Sequence, residues 1–228
     1  MKLLLLCPKC QNNRLSELTD NNHYVLDCKC GETTKIWLQN PKYELLFESG
    51  VLALCDGYKR EAISSITASL ERFYEICIKT ICFDLECNDI FHQSWKEMGR
   101  SSERQLGAYI FTYSLRFKET PKILSRKLTE FRNDVIHNGK FPSFDEVLEY
   151  LEQVAIIISN VKEMLKTSCK DKEICVLLQD AVRSSADGSF STLAIQTFLN
   201  SYSSQKQFRT HFEEFKLDYC RALIRSNK

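Results

Sequence analysis

Residues 143–165, SFDEVLEYLEQVAIIISNVKEML, set the class of the whole chain. Ser143 and Glu146 have the spacing of a capping box, in which the serine hydroxyl takes the third helical amide and the glutamate reaches back to the serine amide. Val147, Leu151, Val154, Ile158, Val161 and Leu165 then recur at three- and four-residue steps, which predicts a long helix with one apolar seam. Its most apolar run, Val154 to Val161, lies among charged residues and falls well short of the roughly 18 uninterrupted apolar residues of a membrane span. The expectation is a soluble cytoplasmic protein with no membrane contact.

The helical period extends to both sides of this segment. Upstream, Asn40-Pro41 has the look of an N-cap followed by a first helical residue, and predicts a helix to about Cys55, ended by Asp56-Gly57. A second helix runs from Tyr58 to about Leu85 on Ile63, Ile66, Leu70, Phe73 and Cys77, and Asn88 to Ser102 reads as a loop. A third covers Glu103 to Lys118, with Leu106, Ile110, Tyr113 and Phe117 on one stripe. Thr120-Pro121 opens a fourth carrying Leu124, Leu128, Phe131 and Val135, which Asn138-Gly139 closes in the manner of a left-handed C-terminal residue. Beyond Ser168 the chain reads as two or three more helices, broken at Asp187-Gly188 and Ser203-Ser204, with no strand signal. In the last of them Phe208, Phe212, Phe215 and Tyr219 sit at packing intervals.

Residues 1 to 38 differ in composition. Short alternating runs, Arg14 to Leu18 and His23 to Leu26, flank a polar turn at Asp20-Asn21-Asn22 and predict a β-hairpin. Met1 to Cys7 reads as a strand rather than a leader, because its apolar run is four leucines long. Cys7-Pro-Lys-Cys10 and Cys28-Lys-Cys30 each place two sulfurs on a tight turn, and four thiolates so paired can surround one Zn²⁺ tetrahedrally. The pattern resembles the zinc-ribbon family, with Gln11 where a glycine often follows the first pair. Such a closed site leaves no open position for chemistry, so the zinc would be structural. The odd total of 11 cysteines, with Cys55, Cys77, Cys82 and Cys220 among helix formers, fits a reducing compartment. Lys and Arg number 31 against 30 Asp and Glu, so any nucleic-acid contact must be a local patch.

At the end of the fourth helix stands Phe131-Arg-Asn-Asp-Val-Ile-His-Asn-Gly139. Arginine offers a charged planar fork to phosphate oxygens, and histidine as a residue type transfers protons near neutrality. An RNA strand carries its own 2′-hydroxyl nucleophile, so these two functions suffice for strand cleavage. Five residues along a regular helix turn through about 500°, which leaves Arg132 and His137 about 140° apart. One chain alone therefore makes a poor site, whereas a two-fold arrangement can bring the arginine of one copy to the histidine of the other. Taken in isolation, the same pair would be a solvated arginine and a histidine complementing the helix dipole.

With the long helix before it and the capped helix after it, the segment resembles the HEPN superfamily over roughly residues 41 to 168, Gly57 to Glu71 being similar to its second helix. The resemblance implies a dimerising four- or five-helix bundle, many of whose members are metal-independent endoribonucleases in toxin–antitoxin, antiviral defence or RNA-processing systems. It implies Arg132 holding the phosphate, His137 transferring protons and Asn133 positioning the site. Some members serve instead as non-catalytic RNA-binding or protein-interaction modules. The expectation is thus a mainly α protein: a zinc ribbon over 1–38, a HEPN-like helical domain over 41–168 and a helical extension over 169–228. RNA, a second copy and a neutralising or regulatory protein would be its partners. Glu71 reads as a flank residue within reach of the arginine, and His92 and His211 as ordinary surface or core residues.

Overall fold

The computed structural model describes residues 2–170, 172, 176, 191–202 and 206–226. Its order is β1 (Lys2–Leu6), β2 (Asn13–Glu17), β3 (His23–Asp27), β4 (Thr33–Leu38), α1 (Lys42–Cys55), α2 (Lys59–Asp84), α3 (Asn88–Met98), α4 (Ser102–Phe117), α5 (Arg126–Ile136), α6 (Phe144–Cys169), β5 (Ser191–Leu193), α7 (Phe198–Ser201) and α8 (Phe208–Ser226). The protein is mainly helical, with a small strand region at its N-terminus, as the periodicities predict. No helix among the described residues is long and apolar enough to cross a membrane.

Helix α2 is the axis of the body, packing against α1 and α3 to α6. Its Ile63, Ile66, Leu70, Phe73 and Cys77 are all buried, in one core with Val147, Leu151, Val154, Ile158 and Leu165 of α6. The capping box that starts α6 is present, Ser143 Oγ accepting from the Glu146 amide at 3.3 Å and Glu146 accepting from the Ser143 amide at 2.8 Å. At Gly50 of α1 the backbones of α1 and α2 come so close that a Cβ would lie 2.5 Å from Ile66 Cγ1.

Four features depart from the sequence-based reading. The polar interval after Cys87 holds helix α3, because Phe91 and Trp95, one turn apart, stack at 5.3 Å and Phe91 enters the core. Helix α5 begins at Arg126 rather than at Pro121: Lys118 turns left-handed at φ 61°, and Ser125 caps the Leu128 amide. Asn40 does not cap α1, whose N-cap is Pro41; its side chain instead binds Ile195 at both backbone groups, 2.8 and 3.0 Å. Finally, a strand does follow the ribbon: β5 pairs parallel with β4, Ile36 opposite Ser191. Three residues are too short to show alternation, and Ser191 pairs with a residue as distant in the sequence as Ile36, so no local pattern announces them. The breaks expected at Asp187-Gly188 and Ser203-Ser204 lie outside the described residues.

The segment after β5 belongs to the main body. Phe198 packs on Phe47 at 5.9 Å, Phe208 at 5.3 Å, His211 at 4.5 Å and Phe215 at 5.4 Å. Two buried glutamates of α1 secure it: Glu48 accepts from the Phe198 amide at 2.8 Å, and Glu44 accepts from Asn200 Nδ2 at 2.9 Å and Lys162 Nζ at 2.9 Å.

Candidate functional site

The N-terminal strands form two hairpins rather than one. β1 pairs antiparallel with β2 and β3 with β4, so each cysteine pair occupies the turn of its own hairpin and the Asp20-Asn21-Asn22 turn merely joins them. The two turns are built alike. The Cys7 amide donates to the Asn12 carbonyl and Gln11 to Cys7; the Cys28 amide donates to Glu32 and Gly31 to Cys28. Both turns need a left-handed residue, supplied by Gly31 at φ 85° and by Gln11 at φ 57°. All four sulfurs lie within 4.8 Å of one another, Cys7 and Cys30 at 3.9 Å and Cys10 and Cys28 at 3.5 Å. A tetrahedron with metal–sulfur bonds of about 2.3 Å has edges of about 3.8 Å, so the cluster has the size of a metal site.

The protonation chemistry agrees with that geometry. The Cys30 amide, helped by the Cys30 and Cys10 thiols and by Arg14, draws Cys28 down to about 6. Cys30 is favoured as thiolate by the Glu32 amide, yet its contacts with Cys28, Cys10 and Cys7 push it up to about 11. Four thiolates this close repel one another, and a divalent cation is what allows all of them to be deprotonated together. His23 stands in β3 opposite Trp37, outside the cluster. Of the basic residues around the ribbon, Lys9 is engaged by Glu32 at 3.1 Å.

The second site lies between α2, α4, α5 and the extended segment before α5. A cavity of about 310 Å³ opens there, walled by Leu70, Tyr74, Leu106, Ile123, Leu124 and Tyr150, with Thr67, Glu71, Ser102, Glu103, Thr129, Arg132 and Asn133 contributing its polar surface. Ile123 and Leu124, in the irregular stretch that precedes the late start of α5, form part of its wall. Arg132 and Asn133 are clasped together, Nη1 donating to Asn133 Oδ1 at 2.8 Å, while Arg132 Nε is buried without a hydrogen-bond partner. Tyr150 shares a hydrogen bond with Thr67 at 3.0 Å; burial pushes its hydroxyl up, with Thr67 and Arg132 pulling the other way. Burial likewise raises the Glu71 carboxyl, against the pull of Arg132, Arg72 and a Ser102 hydrogen bond, with Glu103 adding to the rise.

His137 does not join this group. It is the exposed residue that caps the C-terminus of α5, its amide donating to the Asn133 carbonyl at 2.8 Å. The helix ends there as expected, with Gly139 left-handed at φ 75° and the Lys140 amide reaching back to Asp134 at 3.0 Å. Beside that end, Arg60 donates to the Val135 carbonyl at 3.2 Å and lies over the Phe141 ring at 5.6 Å. The structure thus unites Arg132 and Asn133 and leaves His137 apart, as the helical angle requires. Sequence reasoning left Glu71 aside and passed over Thr67 and Tyr150. The four-residue step from Thr67 to Glu71, on the face of α2 that carries Leu70 and Tyr74, is the signal that marks the first two.

Compared with known proteins, the chain matches no family model, no curated protein and no solved structure.

Proposed function

We propose that this protein is an endoribonuclease of the HEPN type, active as a homodimer, with a structural zinc ion held by Cys7, Cys10, Cys28 and Cys30. The observation that carries the reading is the division of labour along α5: Arg132 and Asn133 are clasped on the wall of a cavity, and His137 is exposed at the helix end. A second copy related by a two-fold axis supplies the missing half of each site. Arg132 neutralises the phosphate, using donors left over from its bond to Asn133. The 2′-oxygen attacks the adjacent phosphorus and the bond to the 5′-oxygen breaks. The partner copy's His137 takes the 2′-hydroxyl proton and, as the imidazolium so formed, protonates the departing 5′-oxygen. The products are a 2′,3′-cyclic phosphate and a 5′-hydroxyl. The HEPN resemblance also motivates a setting in toxin–antitoxin or antiviral defence and the need for a neutralising partner.

A second reading is a non-catalytic RNA-binding or protein-interaction module, favoured by the separation of His137 from Arg132 within one chain. Incubation of the purified protein with total RNA in EDTA, beside Arg132→Ala and His137→Ala, separates the two. The nuclease reading expects loss of cleavage by about 100-fold or more in each variant. A wild type that retards RNA on a gel and leaves it intact supports the binding module instead, and toxicity on expression relieved by both substitutions supports the nuclease.

A further inference from the structure

The cavity beside Arg132 has a chemistry that phosphate binding does not use. Its walls are largely apolar, and its polar groups are concentrated where Glu71 of α2 faces Arg132 of α5. A phosphate needs cationic donors and open water, not a half-buried carboxylate inside an apolar chamber. At about 310 Å³ the chamber stands at the lower end of small-ligand pockets, about 300–1,000 Å³, which suits one flat ring system.

We infer that the cavity is a guanine pocket, in which Glu71 accepts from the ring N1–H and the exocyclic amine while the Arg132 guanidinium donates to O6. The inference rests on the nuclease reading and assigns its base specificity. The edge chemistry selects the base. Among the four RNA bases only guanine presents two adjacent N–H donors beside a carbonyl. A carboxylate accepts from such a pair side by side, the planar arrangement that makes two-point recognition strong. Adenine and cytosine place a ring acceptor next to their amine, and uracil has one N–H between two carbonyls; each would set a lone pair against the carboxylate. Leu70, Leu106 and Leu124 supply apolar contact for the ring faces. The guanidinium can serve base and backbone together: one Nη1 hydrogen goes to Asn133, which leaves further donors for the base and the phosphate. Glu71 keeps acceptor capacity beyond its Ser102 bond, since an ionised carboxyl has about four lone-pair positions.

The test is calorimetric titration of the intact protein with the 3′-monophosphates of guanosine, adenosine, cytidine, uridine and inosine. Guanosine 3′-monophosphate should bind at least about tenfold tighter than the adenosine, cytidine and uridine nucleotides. Inosine, which lacks only the exocyclic amine, should bind about tenfold more weakly than guanosine. Glu71→Gln should bring the guanosine-to-adenosine ratio close to one, and Glu130→Gln, at an exposed residue of α5 outside the cavity lining, should leave it unchanged. Equal binding of all five nucleotides, binding of none, equality of inosine with guanosine, or loss of the preference in Glu130→Gln would each overturn the guanine pocket. RNA cleavage without base preference would remove the pocket and leave the nuclease standing. Guanosine selectivity in a protein that never cleaves RNA would do the reverse.

Discussion

A methyl group at Gly50 would lie 2.5 and 2.7 Å from Ile66 Cγ1 and Cδ1 and 3.1 Å from the Ala62 carbonyl. Helices α1 and α2 meet at that point, so Gly50→Ala should destabilise the fold by about 1–3 kcal/mol, read as a lowered urea midpoint at unchanged slope. Glu48 is a different kind of buried residue. Burial pushes its carboxyl up to about 7, opposed by the Phe198 amide, with nearby Glu44 adding to the rise. Its ordinary value is 4.5, so between about 4.5 and 7 the folded state holds a proton that the unfolded chain releases. Stability must therefore fall as pH rises through that window and stay low above it. Glu48→Gln keeps an acceptor for the Phe198 amide and removes the charge. It should flatten this dependence and stabilise the protein at pH 8 by about 1–3 kcal/mol, while changing little at pH 5. A variant whose urea stability keeps the wild-type difference between the two pH values would disprove this account of Glu48.

Each hairpin of the ribbon contributes two sulfurs, and neither has much else to hold its turn. The apolar cluster there is small, made of Leu3, Leu5, Tyr24, Leu26, Ile36 and Leu38 around Leu45 of α1. Removing the metal at neutral pH should unfold residues 1–38 and leave the helical circular dichroism largely intact, with one zinc released per chain. Cleavage by the helical body should survive; its complete loss while the helices stay folded would assign the ribbon an active part. Gln11, left-handed at φ 57°, is strained where a glycine would be at ease, so Gln11→Gly should tighten metal binding modestly. Asn40, in the link between β4 and α1, bonds to Glu44 of α1 and to both backbone groups of Ile195 beyond β5. Asn40→Ala strips two backbone groups of their partner and should cost about 1–3 kcal/mol, with residues around 191–201 becoming the first site of proteolysis.

Across the whole molecule, Phe198, Leu199, Phe208 and Phe212 complete the core that α1, α2 and α6 begin, and β5 ties the chain just before them to the ribbon. The described residues 191–202 and 206–226 are thus continuous with both other parts through pairing and packing. The angular separation of Arg132 and His137 makes a dimer the natural unit of the proposed activity. Mixing Arg132→Ala with His137→Ala should regenerate one intact composite site in each mixed dimer, about a quarter of wild-type activity after free exchange. No recovery in a sample shown to contain mixed dimers would mean that each chain carries its own site.

The helical body, the cap of α6, the turn at Gly139 and the paired cysteines were legible without coordinates, because each rests on interactions within a few residues: period, capping geometry and the chelate spacing of two thiols. The sequence also predicted that Arg132 and His137 diverge, since helix geometry is local. Tertiary structure alone decided that the cysteine turns belong to separate hairpins, that Asn40 serves Ile195 rather than α1, and that a three-residue strand returns to β4. It also decided that α5 starts late and that a cavity lies beside Arg132. The strand, the Asn40 bonds and the cavity wall depend on partners tens of residues away or more, whose cost of approach is repaid by burial and hydrogen bonds that no local window contains.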